Sequence, residues 1–512
     1  MNADRVEMPT AVPSFGPWGG NSRKALLSSA ATHRCVLAAA MMALLPSAQA
    51  LAQCAPPAPA AVSISSGSCS DPAFTTRESA GPAPVVEASG TGTYSGTSID
   101  LTANGSGYGM YATGGGAITV IGSPVNGATI STYGTDGHGL YAAGAGLITG
   151  SYTSIYTNDA GAYGVGAVGM GSSITLTDSG VNTALDNAHG AYAASGGIIT
   201  LTRTDVTTSG ADASAAFADV GGSITLNNLN TYSYGDNAPG GVASGAGSSL
   251  ALNNTYINIY GNGSAGLFAT GGGMATVNGG AIATGDYYGG TVIANSPGML
   301  ARGAGSSIQV SNGTSFATYG ANSPGVWADA GGRIDFSGYG IFTYQPNSPG
   351  AVANGSGSTV TLTDTINRTT GPSSAGVLLN SAGTVIVTGS EITTGYRVTG
   401  GTPPVLQFPD AEIGLEAHGA DVVGAGSRLQ AENARITTNG DGAVGIRVSQ
   451  GGAASITGGT TTTNGADTAT VGGADGVRAT DAGSSVTLSD TSVITTNINA
   501  IGVHAMAGGA IA

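Results

Sequence analysis

The feature that most constrains this chain is a short motif that returns at a near-constant interval. Gly, an apolar residue, any residue and Ala recur as Gly109-Met110-Tyr111-Ala112, Gly139-Leu140-Tyr141-Ala142, Gly164-Val165-Gly166-Ala167 and Gly190-Ala191-Tyr192-Ala193. Later anchors stand at Ala215, Gly240, Gly266, Gly298, Gly325, Gly350, Gly376, Gly414, Gly445, Gly476 and Gly502. That makes fifteen copies, and eight of the fourteen spacings are 25 or 26 residues. The fourth position is Ala except at Leu379 and Val448, and a second Gly follows seven residues after the anchor in fourteen copies. In the copy of Gly414 that place holds Asp421, and the glycine is delayed to Gly426. Glycine richness alone does not produce such register.

Within each copy, apolar and polar residues alternate, as in Ile174-Thr175-Leu176-Thr177, Ile199-Thr200-Leu201-Thr202, Ile224-Thr225-Leu226-Asn227 and Val486-Thr487-Leu488-Ser489. Period-2 alternation buries one face of a strand and wets the other. A further β-prone segment closes many copies, as in Ile436-Thr437-Thr438-Asn439-Gly440. A unit of about 25 residues with three short strands cannot bury its apolar face alone, but stacked copies share a core and pair strands at about 4.8 Å per rung. The spacing therefore predicts an all-β fold, a right-handed parallel β-helix (solenoid) of about 15 coils, mostly 25–31 residues each. At one rung per coil the rod is roughly 70 Å long. Propeller blades are longer, nearer 40 residues, and helical repeats would not place Gly and Thr where helix formers belong. The longer spacings become loops, chiefly around Gly400 to Asp410, where Pro403, Pro404 and Pro409 oppose strand pairing.

Composition agrees. Of 512 residues 89 are Gly and only 8% are charged, against about 25% in an average soluble domain. With 41% apolar residues and a mean hydropathy of +0.15, the chain is no disordered polyelectrolyte. Glycine does not recur every third residue, so collagen is excluded. Arg23, Lys24 and Arg34 precede an apolar run from Val36 to Leu45, followed by the small residues of Ala48-Gln49-Ala50 or Ala50-Leu51-Ala52. Residues 1–52 therefore read as an extended secretory signal peptide, whose apolar run falls short of the roughly 20 residues a spanning helix needs. Removing its two acids and four bases leaves 27 acids, 10 Arg and no Lys, a net charge near −17. So acidic a chain is a poor nucleic-acid partner, because such binding rests on phosphate neutralisation.

Residues 53–84 form a Cys/Pro-rich N-terminal segment, and 85–512 hold the repeats. Cys54 and Cys69 are an even pair in an exported chain, which predicts a disulfide. Leu51-Ala52-Gln53-Cys54 loosely resembles a lipobox, so a lipid-modified Cys54 is the rival reading.

The long signal, the Cys pair and the Gly-x-x-Ala coils followed by Gly171-Ser172-Ser173-Ile174-Thr175-Leu176 resemble the pertactin-like passenger region of Gram-negative autotransporters, over about residues 85–512. The resemblance implies type V secretion: export through the periplasm to the outer-membrane surface or extracellular space by way of a C-terminal outer-membrane β-barrel. It also implies a non-enzymatic adhesin, host-interaction or virulence factor that needs no cofactor, with a host cell-surface or matrix protein or a glycan as partner. No barrel follows here, and the sequence stops at Gly508-Gly509-Ala510-Ile511-Ala512, part-way into a coil. The expectation is a C-terminally truncated passenger. A structural stalk and a carbohydrate-active β-helix enzyme are the alternatives.

Catalytic constellations fare poorly against this frame. Gly313-Thr314-Ser315-Phe316-Ala317-Thr318 resembles a subtilisin-like nucleophile segment, and Asp178 and His189 supply the triad order. Yet Ser315 lies four coils beyond His189, about 19 Å at the rung spacing, whereas a base must sit within about 3 Å of its nucleophile. The carboxylates are scattered, and His138, His189, His418 and His504 are far apart in coil number, which predicts exposed turn histidines and no metal site. One column stands out: the residue between the inward apolar residue and the inward Ala must point outward. Its aromatic members Tyr111, Tyr141, Tyr192, Phe217, Phe268 and Trp327 form a candidate contact stripe. Its last four read Glu416, Arg447, Arg478 and His504. The rival is structural, with rings that face inward or simply stack along the rod.

Overall fold

Each coil lays one short strand on each of three faces of a rod. The computed structural model describes residues 52–286, 293–397, 406, 408–466 and 473–512, so the expected signal segment lies outside the described residues up to residue 51. In one coil the strands are Leu140–Ala143, Leu147–Ser151 and Thr153–Thr157, and in the next they are Val165–Val168, Ser173–Thr177 and Gly180–Thr183. They pair in parallel and in register, Leu140 with Val165, Ile148 with Ile174 and Ile155 with Val181. Among the described residues seventeen strands stack in this way on the first face, from Val62–Ile64 to Val503–Met506. The fold is a right-handed parallel β-helix. The 3₁₀ turn Asp410–Glu412 is the one helical element among the described residues.

The rungs begin ahead of Gly109. Within residues 53–84, read above as a segment preceding the repeats, Ser68–Asp71 pairs with Thr93–Thr97 and Val62–Ile64 pairs with Val86–Ser89. Cys54 is disulfide-bonded to Cys69. Beside it lies a buried ion pair: the Arg77 guanidinium donates to both oxygens of Asp71, and the Tyr94 hydroxyl donates to Asp71 Oδ2 at 2.8 Å. Arg77 also donates to the carbonyls of Pro56 and Ala60, at 3.0 and 2.5 Å. With its N–H groups so employed the charge is tolerable at 1% exposure, since the desolvation cost of a buried ion is offset only by a well-placed counter-charge and further hydrogen bonds.

The two recurrent glycines have different causes. The anchor sits at the corner where the third face gives way to the first. A Cβ on Gly164 would collide with Val181 Cγ1 and stand 2.7 Å from the Gly190 carbonyl oxygen. The second glycine shapes the turn to the second face in two ways. At Gly146, Gly197 and Gly222 a Cβ would stand 2.0, 2.1 and 2.0 Å from a carbonyl oxygen of the preceding coil. Gly171 instead takes φ +80° and is followed by Ser172, whose hydroxyl donates to Val168 O at 2.8 Å and accepts the Ala145 N–H at 3.1 Å.

Two sequence expectations require correction. The anchor assigned to Gly414 is Gly419, because Val377 pairs with Ala420 and Leu378 with Asp421. Gly414-Leu415-Glu416-Ala417 imitates the motif within the connection that precedes the strand Ala420–Val423. With Gly419 as anchor, Gly426 falls in register seven residues on, and Glu416 leaves the outward column in favour of Asp421. Secondly, threonine is not confined to the wet face. The third-face strands end on an inward, buried hydroxyl: Thr157, Thr183, Thr318, Thr343 and Thr369. Each donates to the carbonyl five residues on, as from Thr183 to Ala188 O at 2.6 Å and from Thr318 to Ser323 O at 2.8 Å. The hydroxyls thus escape the penalty of an unsatisfied buried polar group.

Gly164→Ala should lower stability by about 1–3 kcal/mol, the usual cost of overpacking a filled core. Gly502→Ala, at the same motif position but with nothing within 4 Å of the added carbon, should leave the thermal midpoint nearly unchanged. Equal effects in the two melting curves would contradict the corner-collision account.

Candidate interaction face

On the first face the inward residues are buried and the residue between them stands half-buried, as in Met110–Thr113, Leu140–Ala143 and Ala191–Ala194. Tyr111, Tyr141, Tyr192, Phe217, Phe268 and Trp327 therefore all point outward, half-buried, in one register column. The inward-facing alternative is excluded by this alternation.

A second aromatic file, formed by the residue just before each anchor, was missed at the sequence level. Tyr108, His138, Tyr163 and His189 lie beside the column, and the two files interleave. His138 stacks on Tyr163 at 4.5 Å between centroids with planes 1° apart, Tyr163 on Tyr192 at 4.4 Å, and His189 on Phe217 at 4.8 Å. Tyr111 and Tyr141 join through Tyr108, at 5.2 and 5.1 Å. Gly166 interrupts the column for a steric reason: a Cβ there would stand 2.7 Å from Tyr141 Cδ2. Burial, reinforced by neighbouring tyrosines, pushes the Tyr141 and Tyr192 hydroxyls up to about 12, with Asp219 contributing at Tyr192. The file is uncharged at neutral pH.

The histidines also differ from expectation. His138, His189 and His418 each hold the place before an anchor, and each ring accepts at Nδ1 a backbone N–H of the following coil: Tyr163 at 2.9 Å, Ser214 at 3.1 Å and Val444 at 2.9 Å. An accepting nitrogen must be unprotonated. Burial holds all three pKa values at about 4. They are struts between coils, not exposed turn residues. His504 differs, lying with Nδ1 2.8 Å from Asp475 Oδ2.

Beyond Phe268 the face changes character. Arg302 lies 5.9 Å from the Trp327 ring centroid and pairs with Asp329 at 2.9 Å, while the Trp327 Nε1 is buried without a partner. Arg447 then grips Asp421 with two bonds of 2.8 and 2.6 Å, and Arg478 pairs with Asp475 at 2.7 Å.

The residues of the subtilisin-like pattern are engaged elsewhere. Asp178 is bound by Arg203 at 2.6 and 2.9 Å, His189 serves as a strut, and Ser315 stands in a third-face strand. A shallow depression of about 520 Å³ on the second face, lined by Asn253, Asn278, Gln309 and Thr361 among others, holds one carboxylate, Asp335. Asp335 is paired with Arg333 at 2.7 Å.

Neither a described protein family nor a curated protein matches the chain by sequence. Its structure does find counterparts. The chain shares its fold with Vag8. The likeness is to the cryo-EM structure of the Vag8–C1 inhibitor complex, at 17% identity and a TM-score of 0.50, covering 88% of this chain and 95% of that one. In that structure Vag8 is complexed with C1 inhibitor. At this identity the likeness to Vag8 shows the fold alone and leaves side-chain roles to this chain's own residues.

The struts predict a pH dependence. Because their folded pKa values lie below the usual 6.5 of imidazole, their contribution is complete above about pH 6.5 and is lost as pH falls towards 4. The thermal midpoint should therefore drop between pH 7 and pH 4.5. His418→Asn keeps an acceptor oxygen and cannot titrate, so its profile should fall less steeply; profiles that run parallel would count against the strut.

Proposed function

We propose that this chain is a non-enzymatic autotransporter passenger, displayed on or released from the bacterial surface, that binds a host protein through its first face. The observation that carries the reading is the outward aromatic column on an otherwise regular rod. Thr, Ser and Asn occupy most outward positions of the second face, where they present interchangeable hydroxyls and amides. The first face instead spends large rings at half-buried positions, where they stay available to a partner. The fold it shares with Vag8, seen in complex with C1 inhibitor, supports a protein partner in general.

Ring stacking favours a second reading, a stalk in which the aromatic file only stiffens the rod. Each aromatic pair adds about 0.5–1.5 kcal/mol beyond its buried area, enough to give the file a purely structural use.

Residues 54–512 should bind saturably to at least one member of a panel of matrix proteins, complement regulators and glycans in surface plasmon resonance. Tyr192→Ser/Phe217→Ser/Phe268→Ser should lose that binding while its circular dichroism remains β-helical. If this variant melts earlier yet binds as before, the stalk reading replaces the contact reading.

A further inference from the structure

The aromatic file extends sideways into a broader apolar panel. In the coils running from Tyr108 to Val220, the next residues along this side of the first-face strands are Thr113, Ala143, Val168, Ala194 and Asp219, the first four uncharged and Ala194 only 6% exposed. The turn beyond them carries Met170 and Val220, 84% and 62% exposed, and the second face opens with Leu147 and Ile198, 42% and 49% exposed. Exposed apolar residues scattered singly mean little, but these are joined by the coil register. Leu147 and Ile198 flank Ser173 in one column. A Cβ on Gly196 would come within 3.0 Å of Met170 Cγ, and the Ser195 N–H donates to Val220 O at 3.0 Å. Five successive rungs at about 4.8 Å make the panel roughly 20 Å long. Across its first-face strands and turns, Asp219 is the one charged side chain.

The panel's long edge is acidic. The turns that lead from the third face into these strands carry Asp136, Asp159, Asp186 and Asp212 in successive coils, all but Asp159 exposed, and Asp236 continues the row into the next coil. Asp136 is close enough to raise the Tyr108 and Tyr163 hydroxyls, after burial has done so. Later stretches of the first face carry mixed charge through Arg302, Asp329, Asp421 and Arg447, so this combination is particular to the panel. A contiguous apolar patch with a polar rim marks an interaction site, and the sign of the rim selects the partner.

We propose that this panel docks a protein segment that presents an apolar surface flanked by Lys or Arg. The proposal rests on the host-binding reading above and names the face and the partner chemistry. The apolar centre supplies affinity, while the carboxylate row attracts and orients the basic flank.

Two synthetic amphipathic helical peptides with the same Leu face, one flanked by Lys and the other by Glu, test it by fluorescence anisotropy. The Lys peptide should bind residues 54–512 saturably, and the Glu peptide should bind far more weakly. Met170→Ser/Val220→Ser alters two exposed turn residues and should not disturb folding, which melting checks. It should weaken the Lys peptide by roughly tenfold, as removal of two side chains from a buried contact implies. Asp136→Asn/Asp212→Asn keeps residues that accept the left-handed backbone found at both positions, φ 57° in each. It should reduce both the affinity and its salt dependence.

The proposal is overturned if neither peptide binds, if the two bind alike, or if the Met170→Ser/Val220→Ser chain binds the Lys peptide as tightly as the parent. It is equally overturned if that variant abolishes self-association in sedimentation equilibrium, which would make the panel a contact between two copies, or abolishes retention on a glycan array. A host protein that still binds this variant unchanged sinks the panel and leaves the binding role standing, whereas no host partner at all removes the binding role itself.

Discussion

Parallel backbone hydrogen bonds from each coil to the next put a residue directly above its counterpart one repeat later. Leu140 lies on Val165, Val165 on Ala191 and Ala191 on Ala216, with Tyr141, Gly166, Tyr192 and Phe217 following in the adjacent column. A position is therefore a file about 4.8 Å per step, and each file must suit every coil it crosses. The corner files favour glycine because the third-face side chains press into them, with Ala215 and Val85 among the exceptions. The inner files take apolar residues, or hydroxyls that mostly find a turn carbonyl as Thr183 does, although Thr132 and Thr463 at the same strand end are buried without a partner.

The scarcity of charge follows from the same stacking. Like charges at successive rungs would repel at close range, so on the strands a charged residue often sits beside an opposite charge in the next coil, whereas the turn aspartates Asp136, Asp186, Asp212 and Asp236 are exposed to water. Arg302 lies beside Asp329 and Asp421 beside Arg447. Arg447 is followed by Arg478, but each guanidinium is bound to its own carboxylate, Asp421 and Asp475. Uncharged Thr, Ser, Asn and aromatic residues can repeat in a file without such arrangements, and they fill most of the outside.

Much of this was legible in the sequence because a stacked fold writes its register as a period. The anchor glycine, the second glycine and the strand alternation could all be read from spacing, while the outward setting of the aromatic column was one of two readings that spacing left open. The failures share one cause: spacing reports files but not what closes over them. Gly414 passed for an anchor because its neighbours fit the motif, while the true interval from Gly376 to Gly419 exceeds every other. The buried hydroxyls of Thr183 and Thr318 look wet until the turn carbonyls that receive them are in place. The histidine struts and the Arg77–Asp71 pair depend on partners in another coil or another strand, to which no period points. One signal was available for the second aromatic file, since Tyr108, His138, Tyr163 and His189 each immediately precede an anchor.

The account's central claim is that the first face between Tyr108 and Val220 is built for contact and not merely for stiffness. The most direct measurement is hydrogen–deuterium exchange on residues 54–512 with and without the Lys-flanked amphipathic peptide. Protection should appear in peptides covering the first-face strands and turns from Met110 to Val220, leaving the third-face strands of the same coils unchanged. Protection spread evenly over all three faces, or confined to coils beyond Phe268, would contradict it.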